Sequence, residues 1–228
     1  MKKLFFSVLA LAALTASFAM PTIWGPTGGA QVAGTGIADR VEIAVNQLTS
    51  YATQYPAVAV VAPIGDITEV SLAYWQADED ANLFNAGLKV AIPAKNLGVD
   101  VAVGGNFERI HNYANKNYEN VILFASASKE LCKDFTATAN YQFITGDLDN
   151  NVFAINLEKV VSELTLGAEY IISEDAYCSS GFYGTVNSAN VYARYSLNKD
   201  VELQTVIAGI GSDNHRCPET IIGGSLKF

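Results

Sequence analysis

Three residue classes are scarce in this chain, and each scarcity closes a route. Histidine occurs only twice, at His111 and His215, which leaves little for a hydrolytic constellation built on an imidazole base. Cysteine occurs three times, as Cys132, Cys178 and Cys217; the spacing matches no zinc pattern, and three thiols allow at most one bridge within the chain. Basic residues number 14 against 23 acidic ones, a formal charge of −9, the wrong sign for a nucleic-acid partner. Long apolar runs are missing too. A spanning helix takes ~20 apolar residues, and no stretch after residue 19 supplies them, although 50% of the chain is hydrophobic. The apolar residues must be spread by alternation, which is how a transmembrane β-barrel arranges them.

What is present begins with the first nineteen residues. Lys2 and Lys3 precede an apolar run from Leu4 to Ala16, and Ser17-Phe18-Ala19 offers small residues for cleavage. Residues 1–19 are expected to be a Sec signal peptide removed after Ala19. Its loss leaves about 209 residues, within reach of one all-β domain, and carries the formal charge from −9 to −11. Residues 20–39, rich in Gly, Pro and Thr, show no sustained period. They read as an irregular segment at the periplasmic rim or the barrel mouth.

From residue 40 to 228 alternating segments and turn signals follow one another. Expected strands are 41–50, 54–64, 67–77, 83–93, 98–109, 117–128, 134–146, 151–158, 164–174, 188–198, 201–211 and 219–228. The segment 134–146 sets Phe135, Ala137, Ala139, Tyr141 and Phe143 against Thr136, Thr138, Asn140 and Gln142, a period of two. Segments 54–64 and 117–128 alternate poorly. The spans are close to or above the ~9–11 residues that a tilted membrane strand needs. If the chain starts in the periplasm, odd-numbered connections should be external and longer. The long stretches Ile110–Lys116, Asp175–Asn187 and Ser212–Pro218 all fall there, while Gly65-Asp66, Ala94–Leu97, Lys129–Lys133, Lys159–Glu163 and Lys199-Asp200 fall on the other side. A soluble lipocalin-like barrel would alternate equally well with its faces reversed.

The last ten residues carry a resemblance. Ile222, Gly224, Leu226 and the terminal Phe228 share one face, with Lys227, Ser225 and Gly223 on the other. This segment resembles the closing strand of bacterial outer-membrane β-barrels, which ends in Phe with apolar residues at alternate positions. The resemblance implies a closed antiparallel transmembrane β-barrel of about twelve strands (ten to fourteen), exported to the bacterial outer membrane. There it would contact outer-membrane lipid and lipopolysaccharide, and Ile222, Gly224, Leu226 and Phe228 would signal to the barrel-assembly machinery.

The polar face should then line the lumen, since a lipid-facing Arg or Lys at the midplane costs ~2–4 kcal/mol. It collects Glu42, Glu69, Asp100, Glu169 and Glu202 against Lys89, Arg194 and Lys227. Two functions fit. One is a narrow passive channel for small solutes with a weak preference for cations; the other is a structural or surface-interaction barrel with a plugged lumen. Tyr74, Trp75, Phe107, Tyr170 and Tyr195 fall near strand ends, as interfacial girdles would require.

Nothing points to an enzyme. Twelve-stranded outer-membrane phospholipases carry a His and a Ser close together on one strand, and neither His111 nor His215 has such a neighbour in sequence. The acidic clusters Asp78-Glu79-Asp80 and Glu174-Asp175 suit solvated loops. Asp147-Leu148-Asp149-Asn150-Asn151 lacks the glycine and the distal glutamate of a calcium loop. No cofactor or metal is expected. Cys178 and Cys217 fall in two external connections and Cys132 at the opposite end, and a bridge needs Cα atoms within about 7 Å. Cys178–Cys217 is therefore the pair the topology permits.

Overall fold

The period-two segments close on themselves. The computed structural model describes residues 20–22, 26–29, 33–50, 53–76, 81–94, 98–113, 116–173, 187–211 and 219–228. Two short strands, β1 (Met20–Pro21) and β2 (Thr27–Gly28), pair with each other. The barrel strands follow: β3 (Glu42–Ser50), β4 (Thr53–Pro63), β5 (Thr68–Gln76), β6 (Asn82–Ile92), β7 (Asp100–Tyr113) and β8 (Lys116–Cys132). Then come β9 (Phe135–Gly146), β10 (Asn150–Val161), β11 (Leu164–Ser173), β12 (Asn187–Ser196), β13 (Val201–Ile210) and β14 (Glu219–Lys227). Each pairs antiparallel with its sequence neighbours, and β14 pairs with β3 to complete a closed barrel of twelve strands. Closure leaves no unpaired edge, as a sheet surrounded by lipid requires. The rim where β3 begins and β14 ends is the base; the opposite rim is the top.

The faces settle the choice between the membrane and soluble kinds of barrel. Val45, Leu72, Leu88, Leu123, Phe143, Ile155, Leu203 and Ile222 are exposed on the outside. Their neighbours Glu42, Asn46, Glu69, Asn85, Glu108, Asn140 and Arg194 are buried inside. An apolar exterior around a polar interior is the reverse of a soluble barrel and suits a lipid environment. Tyr74, Phe107, Tyr170 and Tyr195 are on the outer face, but Trp75 is 1% exposed and lies inside, not in a girdle. Its parity with Glu69, Ser71 and Ala73 along β5 decides its direction.

Three expected connections prove to be partly strand. β7 continues to Tyr113 and β8 starts at Lys116, with Ile110 still paired to Tyr118; most of the expected loop Ile110–Lys116 is strand, and residues 114 and 115 lie outside the described residues. At the base β8 continues to Cys132, and the turn is Lys133-Asp134, with Asp134 at φ 61. Cys132 thus ends a strand, where it is an exposed free thiol. Similarly β10 runs to Val161 before a turn at Ser162-Glu163. The expected signal peptide, Cys178, Cys217, His215 and both acidic loop clusters lie outside the described residues.

The chain ahead of the barrel lies within it. Ala33 and Ala38 are 6% and 7% exposed, and β1 packs against β3 and β4. Residues 26–29 and 33–40, with β1, form a strap that passes around the inside of the wall.

Candidate functional site

Among the described residues the fold shields one large polar surface, the lumen. An irregular segment inside a barrel brings backbone groups that need partners, and wall side chains provide them. Arg40 fixes the strap at the base: its Nη1 lies 2.7 Å from Asp200 Oδ1 and its Nη2 donates to the Lys199 carbonyl at 2.7 Å. The Ala38 amide donates to Glu69 Oε2 of β5 at 2.8 Å. Thr35 Oγ1 bonds Ser128 Oγ of β8 at 2.9 Å. The Ala33 carbonyl accepts from Ser126 Oγ at 2.7 Å and from Asn140 Nδ2 of β9 at 3.1 Å. The Gly28 carbonyl accepts from Arg194 Nη2 of β12 at 2.8 Å. A side chain at Gly29 would meet Glu169 Oε1, so a larger residue there would have to push that carboxylate aside.

The charged residues sit mostly in the lower half. Lys89 Nζ meets Glu69 Oε1 at 3.0 Å, with side chains 0% and 1% exposed. Arg194 Nη1 meets Glu158 Oε1 at 3.3 Å, and its guanidinium carbon stands 4.7 Å over the Tyr192 ring. The Tyr192 hydroxyl is 2.8 Å from both Asn156 Oδ1 and Glu158 Oε1 and donates to one at a time. The wall makes room for this ring at Gly167, where a Cβ would overlap it. Glu169 Oε2 accepts from Asn190 Nδ2 at 3.0 Å, and Glu202 Oε2 from Ser196 Oγ at 3.2 Å. Lys227 Nζ stands 3.9 Å from Glu42 Oε2.

Of the residues expected in the lumen, Glu42, Glu69, Lys89, Glu169, Arg194 and Glu202 are buried inside the barrel. Lys227 is partly buried near the base, and Asp100 is exposed at the start of β7, lining a cavity of about 590 Å³ below the strap. Thr35, Ser128, Thr138, Asn156 and Glu158 share that cavity. Sequence reasoning missed Glu108 and Glu158. Both were findable by parity, because Glu108 shares a face with Asp100, and Glu158 with Asn156 along β10.

The upper half is different. A directly paired inward row runs Ala57, Trp75, Leu83, Ile110, Tyr118 across β4 to β8. A second row runs Leu48, Ile221, Val206, Tyr192 across β3, β14, β13 and β12. Together they form one apolar cluster inside the barrel, with Leu148 packed against it. Between this collar and the charged half lie polar atoms with no protein partner. Both amide atoms of Asn85 and Oδ1 of Asn106 are buried and unbonded by protein. Buried groups of this kind are ordinarily satisfied by water, which suits a polar mid-lumen.

Among the described residues no group of three or more His, Cys, Asp or Glu could hold a metal ion. His111 is exposed near the top of β7, and its paired position on β6 is Asn82, not a serine.

No protein-family model matches the sequence, and no curated protein matches it. Solved structures do resemble the fold. The KdgM porin superposes with a TM-score of 0.67 at 12% identity, covering 82% of this chain and 99% of that one. The NanC porin gives 0.57 at 14% identity, covering 82% of this chain and 100% of that one. Outer membrane phospholipase A from Escherichia coli gives 0.53 at 12% identity, covering 84% of this chain and 93% of that one. At these identities the likeness concerns the fold, a closed twelve-stranded antiparallel barrel of the kind outer-membrane porins have.

Proposed function

We propose that the protein is an integral outer-membrane barrel acting as a narrow passive channel for small solutes, with a weak preference for cations. The observation that carries this reading is the interior charge. Among the described interior residues Glu42, Glu69, Glu108, Glu158, Glu169 and Glu202 outnumber Lys89, Arg194 and Lys227, and Asp100 adds another carboxylate at the base. A lumen of that sign favours cations and small neutral solutes. One structure of the KdgM porin holds disordered oligogalacturonate; that ligand is a polyanion, and the acidic lumen here argues for a different solute class. In this reading the base faces the periplasm, so the two longest connections, between β11 and β12 and between β13 and β14, face outward.

The test is a reversal-potential measurement in a planar bilayer under a salt gradient. Cation preference in the wild type, reduced in Glu69→Gln/Asp100→Asn, supports the reading; anion preference overturns it. The apolar collar and the strap favour a second reading, a structural or surface-interaction barrel with a plugged lumen. Correctly folded wild-type protein that never conducts would select it.

A further inference from the structure

We propose that the strap, residues 26–29 and 33–40, is the element that sets the size limit of this lumen, acting from the base; the inference rests on the channel reading above. The contacts already described place it against β5 at Glu69, β8 at Ser126 and Ser128, β9 at Asn140, β11 at Glu169 and β12 at Arg194, and β1 returns it to β3 and β4. It therefore follows most of the circumference instead of crossing at one point. Any solute passing the lower half has to pass inside this loop.

Its composition suits the task. Gly28, Gly29, Ala33, Gly34, Gly36 and Ala38 carry little or no side chain, so at these positions the thickness added to the wall is close to that of a bare backbone. The strap is held by wall hydroxyl, amide, guanidinium and carboxylate groups reaching its backbone. That mode of attachment fixes its position without the bulk of an apolar anchor. The cavity of about 590 Å³ lies between the strap and the base, so the chain narrows again above a space that small solutes can enter. The constriction comes from the segment before the first strand, not from a loop between strands.

The experiment compares three proteins in planar bilayers by single-channel conductance and by exclusion of polyethylene glycols of graded mass. The first is the full chain. The second lacks residues 22–36; heat-modifiable migration on gels shows whether its barrel has closed. The third is Ser126→Ala/Asn140→Ala, which removes both donors to the Ala33 carbonyl and leaves every charge in place. The deletion is expected to raise conductance several-fold and to admit larger polymers. The double substitution should add current noise and sub-states. Thr35→Cys/Ser128→Cys, with Cys132→Ser, Cys178→Ser and Cys217→Ser, then pins the strap under oxidation. Oxidation should quieten the noise of the Ser126→Ala/Asn140→Ala background, and reduction should restore it; this arm decides the matter if the deletion variant does not fold.

A folded deletion variant with the wild-type conductance and polymer cut-off overturns the inference and leaves the channel reading standing. If the wild type is silent and the deletion conducts, the strap is the limiting element and passive conduction by the full chain fails. If neither conducts, both readings fall.

Discussion

Lys89 and Glu69 face each other at directly paired positions of β5 and β6, Nζ to Oε1 3.0 Å, with almost no exposure of either side chain. Glu69 also receives the Ala38 amide, so one carboxylate joins the wall ion pair to the strap. Breaking a buried pair by removing one partner strands the other charge and typically costs ~3–5 kcal/mol, whereas replacing both by apolar residues is often near neutral. Lys89→Met should therefore lower stability by ~3 kcal/mol or more. Lys89→Met/Glu69→Leu should recover most of that, less the lost anchor at Ala38. Urea unfolding in lipid vesicles measures all three differences. A single-variant loss no larger than that of an exposed pair, below ~1 kcal/mol, would sink the argument.

How far the sequence shows this structure depends on what surrounds each residue. Across the lipid the outer face is uniformly apolar and the inner face polar, so period two is strong and the spans 164–174 and 201–211 lie within a residue of β11 and β13. Past the collar the apolar inner face ends: His111, Lys116 and Asn117 are all exposed. The pattern disappears at Ile110–Lys116 although the backbone ladder continues as far as Tyr113 and Lys116. At the base, Lys129–Lys133 looks like a turn because its residues are polar, yet β8 pairs with β9 as far as Cys132. The charged lumen positions were legible by parity, as Glu169 and Arg194 illustrate. The strap was not, because its partners are backbone carbonyls at Gly28 and Ala33 that no side-chain pattern announces.

The terminal strand offers a second prediction. The Phe228 amide donates to the Val41 carbonyl at 2.9 Å and the Lys227 amide to the Asp200 carbonyl at 2.8 Å, while the Phe228 ring is 64% exposed. The ring does little for the packing of the finished barrel; we propose that its value lies in recognition during insertion, as the resemblance of the closing strand implies. Removing Phe228, or Phe228→Asp, should reduce the heat-modifiable fraction in the outer membrane without changing synthesis. Purified variant refolded from urea into vesicles should reach wild-type stability. Normal insertion of both variants in cells would remove the signalling role.

The cysteines provide a third. Cys178 and Cys217 belong to the connections leaving the top of β11 and β13, two strands that both border β12. Cys132 ends β8 at the base. The bilayer core alone is ~30 Å thick, far beyond the reach of a bridge. Non-reducing peptide mapping should find Cys178 joined to Cys217 and Cys132 alkylatable in the intact protein. The bridge should add roughly 3–4 kcal/mol in the chain-entropy model, seen as a drop in unfolding midpoint on reduction. Cys132 joined to either partner within one chain would contradict the strand order itself.

The collar makes the last prediction. Trp75 is directly paired with Ala57 on one side and Leu83 on the other, and Leu83 with Ile110, so apolar side chains meet above the polar mid-lumen. Hydrophobic constrictions close a pore by excluding water, without a moving lid. Trp75→Ala removes the largest member of the row. In a sealed core the void would cost ~3–5 kcal/mol; here water can enter from Asn85 and Asn106, so the loss should be smaller and the open probability should rise. Leu83→Ala should act in the same direction more weakly. Leu72→Ala, on the outer face, should change neither conductance nor its voltage dependence. The strap and the collar are separate restrictions in this account. Trp75→Ala should raise the open probability while the polymer cut-off stays at the wild-type value. A shifted cut-off with unchanged open probability would show that the collar restricts size and does not control wetting.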